Sequence, residues 1–126
     1  MARIIIADDD ELIVDLVRET LQKEGHIVGS LRDGSSVRSV LDTKQPDLLI
    51  LDCGMPEKCG MTALQEVRSS AWSFQIPVLI LTGRTAGSDE RVAYQAGADD
   101  YLRKPFDPDQ LIVRVEALLN MPNARA

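Results

Sequence analysis

The chain has 126 residues, 44% of them hydrophobic and 27% charged, with a formal net charge of -6. That length gives one domain with room for a real core, and its acidic balance argues against this domain itself gripping nucleic acid or an anionic membrane surface. No apolar run approaches the roughly 20 residues that span a bilayer and the N-terminus lacks the basic-then-apolar pattern of a secretory signal, so a cytoplasmic location is expected.

Arg3–Ala7 opens the chain as a compact apolar run that suits a strand buried on both faces. Asp8, Asp9 and Asp10 follow it directly. Like charges crowded at a buried strand end disfavour one another's ionisation unless a cation relieves them. Asp10 suits a helix N-terminus, whereas Asp8 and Asp9 point to a hard, oxygen-preferring metal. Leu12, Ile13, Leu16, Val17 and Leu21 then fall on one helical stripe that Gly25 is placed to end. His26, beside it, reads as a turn residue. Ile27–Leu31 is a weaker strand, and Val37, Val40 and Leu41 make a shorter helical stripe before Pro46. Leu48–Leu51 is a second buried strand, ended by Asp52. Met61, Leu64 and Val67 form a third stripe after Gly60.

Pro77–Thr82 is another buried strand, followed by a less regular helix from about residue 88 to Ala96 that stops at Gly97. Asp100–Arg103 is a weak strand of the kind found at sheet edges. The last helix begins cleanly, with Asp107 as N-cap and Pro108 in the first turn, and runs on through Leu111, Ile112, Val115, Leu118 and Leu119. Residues 1–120 read as the domain, and 121–126 as a C-terminal tail or the start of a linker.

Five β-α units in succession imply an α/β fold, a parallel sheet covered by helices on both faces. Ligands of such sheets bind beyond the carboxyl ends of the strands, where the strand order reverses. If the sheet is doubly wound, Asp8, Asp9, Asp52, Thr82 and Lys104 converge on one rim. A carboxylate beside Mg²⁺ and a lysine can attack phosphorus, because the cations neutralise phosphoryl oxygens and a hydroxyl donates a hydrogen bond to them. Singly, such an Asp is often a cap, such a Thr a β former and such a Lys a solvated loop residue; their common position at strand ends carries the inference. Two cysteines and one histidine are too few for a conventional zinc site. A Cys53–Cys59 disulfide fits on spacing alone, but nothing suggests an oxidising compartment.

With these residues placed, the chain resembles a receiver domain of the two-component response regulators over nearly its full length. The resemblance rests on Ile6-Ala7-Asp8-Asp9-Asp10, Leu51-Asp52 with Met55-Pro56 and Gly60, Leu81-Thr82-Gly83, and the run from Gly97 to Phe106 that contains Asp99-Asp100-Tyr101 and Lys104-Pro105. It implies a flavodoxin-like, doubly wound five-stranded parallel sheet of order 2-1-3-4-5 with five helices. It also implies that Asp52 is the phosphoacceptor, taking a phosphoryl group from a phosphohistidine on a sensor histidine kinase or phosphotransfer protein. By the same resemblance Asp9, Asp52 and the backbone carbonyl of Gly54 ligate Mg²⁺, for which Mn²⁺ can substitute, and Asp8 acts through a bound water. Thr82 and Lys104 contact the phosphoryl group, Tyr101 changes rotamer as Thr82 moves, and the peptide before Pro105 is cis. The implied protein is a phosphorylation switch, not a turnover enzyme.

Several positions depart from common family forms. Gly54 offers no side chain to shield or assist a water, Gly83 stands where Ala is usual, and Arg84 is placed to steer water or substrate. Asp89, Asp99, Asp100 and Arg114 resemble the charged face of the fourth helix, fifth strand and fifth helix through which winged-helix regulators form homodimers. Glu90 and Gln110 break that pattern, and solvated surface charge is the alternative. Three rival functions share part of this residue pattern. An aspartate-nucleophile phosphatase would want a second Asp where Gly54 stands. A flavodoxin-like cofactor binder would want a Ser/Thr/Gly loop where three aspartates repel phosphate. A pseudo-receiver that binds partners without phosphorylation is the least economical choice, since every active-site position is filled.

Overall fold

The computed structural model describes residues 1–53, 60–70, 75–83 and 87–121. Within them β1 (Arg3–Ala7), β2 (Ile27–Leu31), β3 (Leu48–Asp52), β4 (Val78–Thr82) and β5 (Asp100–Arg103) alternate with five helices. These are α1 (Glu11–Lys23), α2 (Val37–Lys44), α3 (Gly60–Ser69), α4 (Gly87–Ala96) and α5 (Pro108–Leu119). The strands form one parallel sheet of order β2-β1-β3-β4-β5. This is the doubly wound arrangement that the sequence predicts.

Alternation along each strand divides the core in two. Ile5, Leu49, Leu51, Val78, Ile80 and Tyr101 pack against α2, α3 and α4 through Val37, Leu41, Leu64, Val67 and Ala93. Ile4, Ile6, Leu48, Ile50, Leu79 and Leu81 pack against α1 and α5 through Val14, Val17, Leu21, Leu111, Val115 and Leu118. Each fully buried Leu or Ile of this kind stabilises the fold by about 2 kcal/mol. β3 and β4, inside the sheet, are buried at all five positions of each, which is why they read as unbroken apolar runs.

The helix ends are chemically specified. Asp10 caps α1 by accepting hydrogen bonds from the amides of Leu12 (3.0 Å) and Ile13 (3.4 Å). At its other end Gly25 takes φ +89°, while the amides of Gly25 and His26 close onto the carbonyls of Gln22 and Leu21. Asp107 and Gln110 form a reciprocal capping box at the start of α5. Asp33 opens a short 3₁₀ turn at Gly34–Ser36, and hydrogen bonds from the hydroxyl and amide of Ser35 hold its carboxyl below the usual carboxylate range.

Two expectations need correction. Leu12 is not part of the packed stripe of α1 but 80% exposed, and the buried line runs through Val14, Val17 and Leu21. At 100° per residue Leu12 lies nearly opposite Val14, so it cannot share that face. His26 is also more than a turn residue. Its side chain is 7% exposed, with Nδ1 accepting from the Ala2 amide (3.1 Å) and Nε2 2.8 Å from Glu116 of α5. Because Nδ1 accepts, the proton sits on Nε2 and is donated to Glu116. The expected Met61 position of the third stripe lies outside the described side chains.

Candidate functional site

β1 and β3 are adjacent, with Ala7 paired to Leu51, so the residues that follow emerge side by side at the carboxyl ends of the sheet. The chain leaves β1 toward β2 on one side and returns to β3 on the other, so this is the point where strand order reverses. Asp8 is 1% and Asp52 7% exposed, whereas Asp9 stands in solvent beside them. Carboxylate oxygens of Asp8, Asp9 and Asp52 lie within 4.8 Å of one another. Asp10 is outside this group and spends its carboxylate on the helix cap.

Lys104 reaches the cluster from beyond β5. Its amide donates to the Thr82 carbonyl (2.8 Å), which fixes the chain exit. Its Nζ donates to Asp8 Oδ2 (2.7 Å) and to Asp52 Oδ1 (3.1 Å). The peptide between Lys104 and Pro105 is cis. Burial opposes the lysine's charge, but the hydrogen bond to Asp8 and the attraction of Asp52 and Asp8 outweigh it and hold the ammonium above its ordinary value. Lys104 is therefore charged throughout the neutral range.

Asp8 is pulled both ways. Burial raises its carboxyl above the usual range, aided by the nearby charge of Asp52, against the lowering hydrogen bonds from Lys104 and from the Asp10 amide (2.9 Å). One ammonium does not neutralise three carboxylates, and the cluster keeps an excess of negative charge. A set of three carboxylates at this spacing fits a hard divalent cation with oxygen preference, Mg²⁺ or Mn²⁺.

Thr82, 1% exposed at the end of β4, lies on the same sheet face as Ile80, and Ile80 pairs with Tyr101 of β5. The Tyr101 ring is turned inward, 5% exposed, in the core under α4. The structure thus brings Asp8, Asp9, Asp52, Thr82 and Lys104 to one rim with Tyr101 one layer below. Gly54, Met55, Pro56, Cys59 and Arg84 lie outside the described residues, as do the side chains of Asp89 and Glu90. Cys53 is buried.

Asp99 does not belong to an exposed charged face. Its side chain is 6% exposed and accepts from Arg68 Nη2 (2.9 Å) and from the Val78 amide (2.9 Å). The same Arg68 donates to the carbonyls of Gly97 (2.9 Å) and Ile76 (2.5 Å). Gly97 has φ +112°, and a Cβ there would come within 2.9 Å of the Arg68 side chain. Asp100, by contrast, pairs with Arg114 of α5 at 2.6 Å near the surface. Arg68 and its pairing with Asp99, Gly97 and Ile76 have no local signal in the sequence, because these residues lie 8 to 31 positions from it.

Comparison with known proteins agrees with this geometry. Residues 4–116 match the response regulator receiver domain family. The response regulator protein PmrA of Pseudomonas aeruginosa is 41% identical over 124 residues, which are 98% of this chain and 55% of that protein. The DNA-binding dual master transcriptional regulator RpaA of Synechocystis is 41% identical over 119 residues, 94% of this chain and 49% of that protein. The chain thus spans about half the length of these relatives. Among solved structures, the BeF3-activated N-terminal receiver domain of Klebsiella pneumoniae RstA superposes with a TM-score of 0.88 at 28% identity, covering 94% of this chain and 99% of that one. The receiver domain of the sensor histidine kinase PA1611 from Pseudomonas aeruginosa, with a magnesium ion coordinated in its active-site cleft, gives 0.86 at 26% identity, covering 95% and 98%.

Proposed function

The chain belongs to the response regulator receiver domain family, and from that premise we propose that it is a phosphorylation-dependent switch in two-component signalling whose phosphoacceptor is Asp52. One observation carries the reading: Lys104 Nζ bridges Asp8 and Asp52 at the rim where β1 and β3 part, with Asp9 and Thr82 beside them. A nucleophilic carboxylate, a fixed ammonium, a hydroxyl and a cation-ready cluster are the parts that phosphoryl transfer to a carboxylate needs.

The donor is a phosphohistidine on a sensor histidine kinase or phosphotransfer protein. The Asp52 carboxylate attacks phosphorus as the P–N bond breaks, and the electron pair leaves with the imidazole, which takes up a proton. Lys104 and Thr82 hold the transferred group's oxygens as charge spreads over them. Asp9 and Asp52, with the Gly54 carbonyl, would hold Mg²⁺ directly and Asp8 through a water; the bound ion supplies further neutralisation of the phosphoryl oxygens. The magnesium in the cleft of the PA1611 receiver supports that assignment. As Thr82 closes on the new phosphoryl group it frees space on its sheet face, into which Tyr101 rotates, and the face made by α4, β5 and α5 is altered for its partners.

We assign residues 1–120 to the receiver and 121–126 to a tail or the start of a linker, and place the protein in the cytoplasm, where no described helix is long and apolar enough to cross a membrane. Of Asp89, Asp99, Asp100 and Arg114, which a homodimer through the α4-β5-α5 face would use, Asp100 and Arg114 pair near the surface and Asp99 is turned inward. Acetyl phosphate with Mg²⁺ should add the mass of one phosphoryl group, read by intact-mass spectrometry, and Asp52→Asn should abolish the addition. Undiminished labelling of that variant would reject Asp52 as the acceptor.

A further inference from the structure

Among the described residues β2 is the outermost strand on its side of the sheet and pairs with β1 alone. The Ile27 amide donates to the Ala2 carbonyl (2.9 Å) and the Leu31 carbonyl accepts from the Asp8 amide (2.9 Å), so alternate residues face β1. In a parallel ladder the N–H and C=O groups of the intervening residues, Val28 and Ser30, then point outward, where no strand follows among the described residues. Natural sheets cover or blunt such an edge. This one is flanked by grooves on both faces.

On the α2 side a groove of about 460 Å³ lies between β2 and α2, lined among others by Ile27, Gly29, Leu31, Val40 and Pro46. Its floor is low because residue 29 has no side chain: a Cβ there would stand 3.0 Å from Ile5 Cδ1. Ile27 is 50% exposed within it. Val28 and Ser30, whose side chains face α1, also line this groove, so it opens onto the strand's outer backbone. On the α1 side a smaller polar cleft of about 210 Å³ meets Ser30 and Arg32.

The charges decide what fits. Arg3 and Lys44 line the apolar groove, and no salt bridge neutralises either side chain among the described residues. The nearby Asp47 carboxylate accepts from the Arg3 amide (2.8 Å) and offsets one of these two positive charges, leaving the other in excess. In a chain of net charge -6 this edge is locally basic. A second copy adding edge to edge would bring like charges together, which disfavours self-pairing.

We propose that the outer edge of β2 takes up an extended segment of a partner protein as an added strand, with apolar side chains seated over Gly29 and acidic residues at its ends meeting Arg3 and Lys44. Backbone hydrogen bonds to Val28 and Ser30 supply the pairing, and the groove and its charges supply the selection. The site is on the opposite side of β1 from Asp52 and does not depend on the phosphorylation reading.

The test is titration of the ¹⁵N-labelled chain with two capped peptides, Glu-Glu-Ile-Thr-Ile-Glu-Glu and Lys-Lys-Ile-Thr-Ile-Lys-Lys. The acidic peptide should shift the amide signals of Val28 and Ser30, slow their hydrogen exchange, and bind roughly tenfold tighter than the basic one. The exposed double substitution Arg3→Glu/Lys44→Glu should reverse that preference with the melting temperature retained. The proposal is overturned by equal affinities, by shifts centred elsewhere, or by no shift at millimolar peptide. It is equally overturned if β2 signals move with protein concentration alone while the sedimenting mass doubles, since the occupant is then a second copy.

Discussion

The two ends of the sheet use charge in opposite ways. At the carboxyl ends, Asp8, Asp9 and Asp52 crowd together around one lysine, and burial pushes the Asp8 carboxyl up. At the amino ends the residues just before the strands are satisfied: His26 accepts from Ala2, Asp47 from Arg3, and Asp99 from Val78 and Arg68. The first end keeps a charge excess that binding or chemistry can relieve; the second ties helices and loops to the strand starts. Stability and reactivity are therefore separated along the strand direction, as expected where a functional site departs from local optimality and the remainder compensates.

The sharpest way to break this contrast is at Arg68. Arg68→Ala should leave Asp99 buried without its cation and remove two bonds to main-chain carbonyls. Removing one partner of a buried pair costs about 3–5 kcal/mol, and urea denaturation reads it directly. A loss below about 1 kcal/mol, the value of a surface pair, would show that the amino end is not held in this way. His26→Ala should cost less, on the order of 1–3 kcal/mol, because it leaves the Ala2 amide without its acceptor and frees Glu116 to solvent. Hydrogen-exchange measurements should show the Ala2 amide and the start of β1 losing protection. Unchanged exchange there would mean that His26 does not tie the N-terminus to α5.

The carboxyl end was far more legible in the sequence than the amino end, and the reason is physical. Strand termini are marked locally: an apolar run stops at a polar residue, so Asp8, Asp9 and Asp52 announce themselves, Thr82 closes the fourth run and Lys104 follows the fifth. The α/β alternation likewise sufficed for the parallel sheet and its helices. Arg68 with Asp99, and His26 with Glu116, join residues 31 and 90 positions apart and leave no local pattern. In the sequence Asp99 consequently reads as part of a surface face, since a charged residue in a charged run ordinarily is one. Leu12 departs from its expected place for another reason: a helix start with Leu12, Ile13, Val14, Leu16 and Val17 supports more than one apolar stripe, and only packing against the sheet selects the one through Val14.

The smallest effect has the opposite sign and tests the other half of the contrast. Asp8 has an ordinary carboxyl value of 3.8 and is raised above it in the folded protein, burial being the leading cause. A carboxyl raised on folding binds its proton more tightly in the native state, so the stability it lends is fully present below the unfolded value and is lost as pH rises through the folded one. At neutral pH the ionised Asp8 therefore works against the fold. Asp8→Asn keeps the shape, removes one of the crowded charges and leaves Lys104 with Asp52 at 3.1 Å. In EDTA the variant should melt higher than the parent at pH 7, by less than Arg68→Ala lowers it, and the gap should close as pH falls toward 4. Added Mg²⁺ should raise the parent more than the variant, because the ion relieves in the parent what the substitution has already removed. A variant that melts lower than the parent in EDTA would mean that the Lys104–Asp8 pair outweighs burial, and that the carboxyl end is as well satisfied as the amino end.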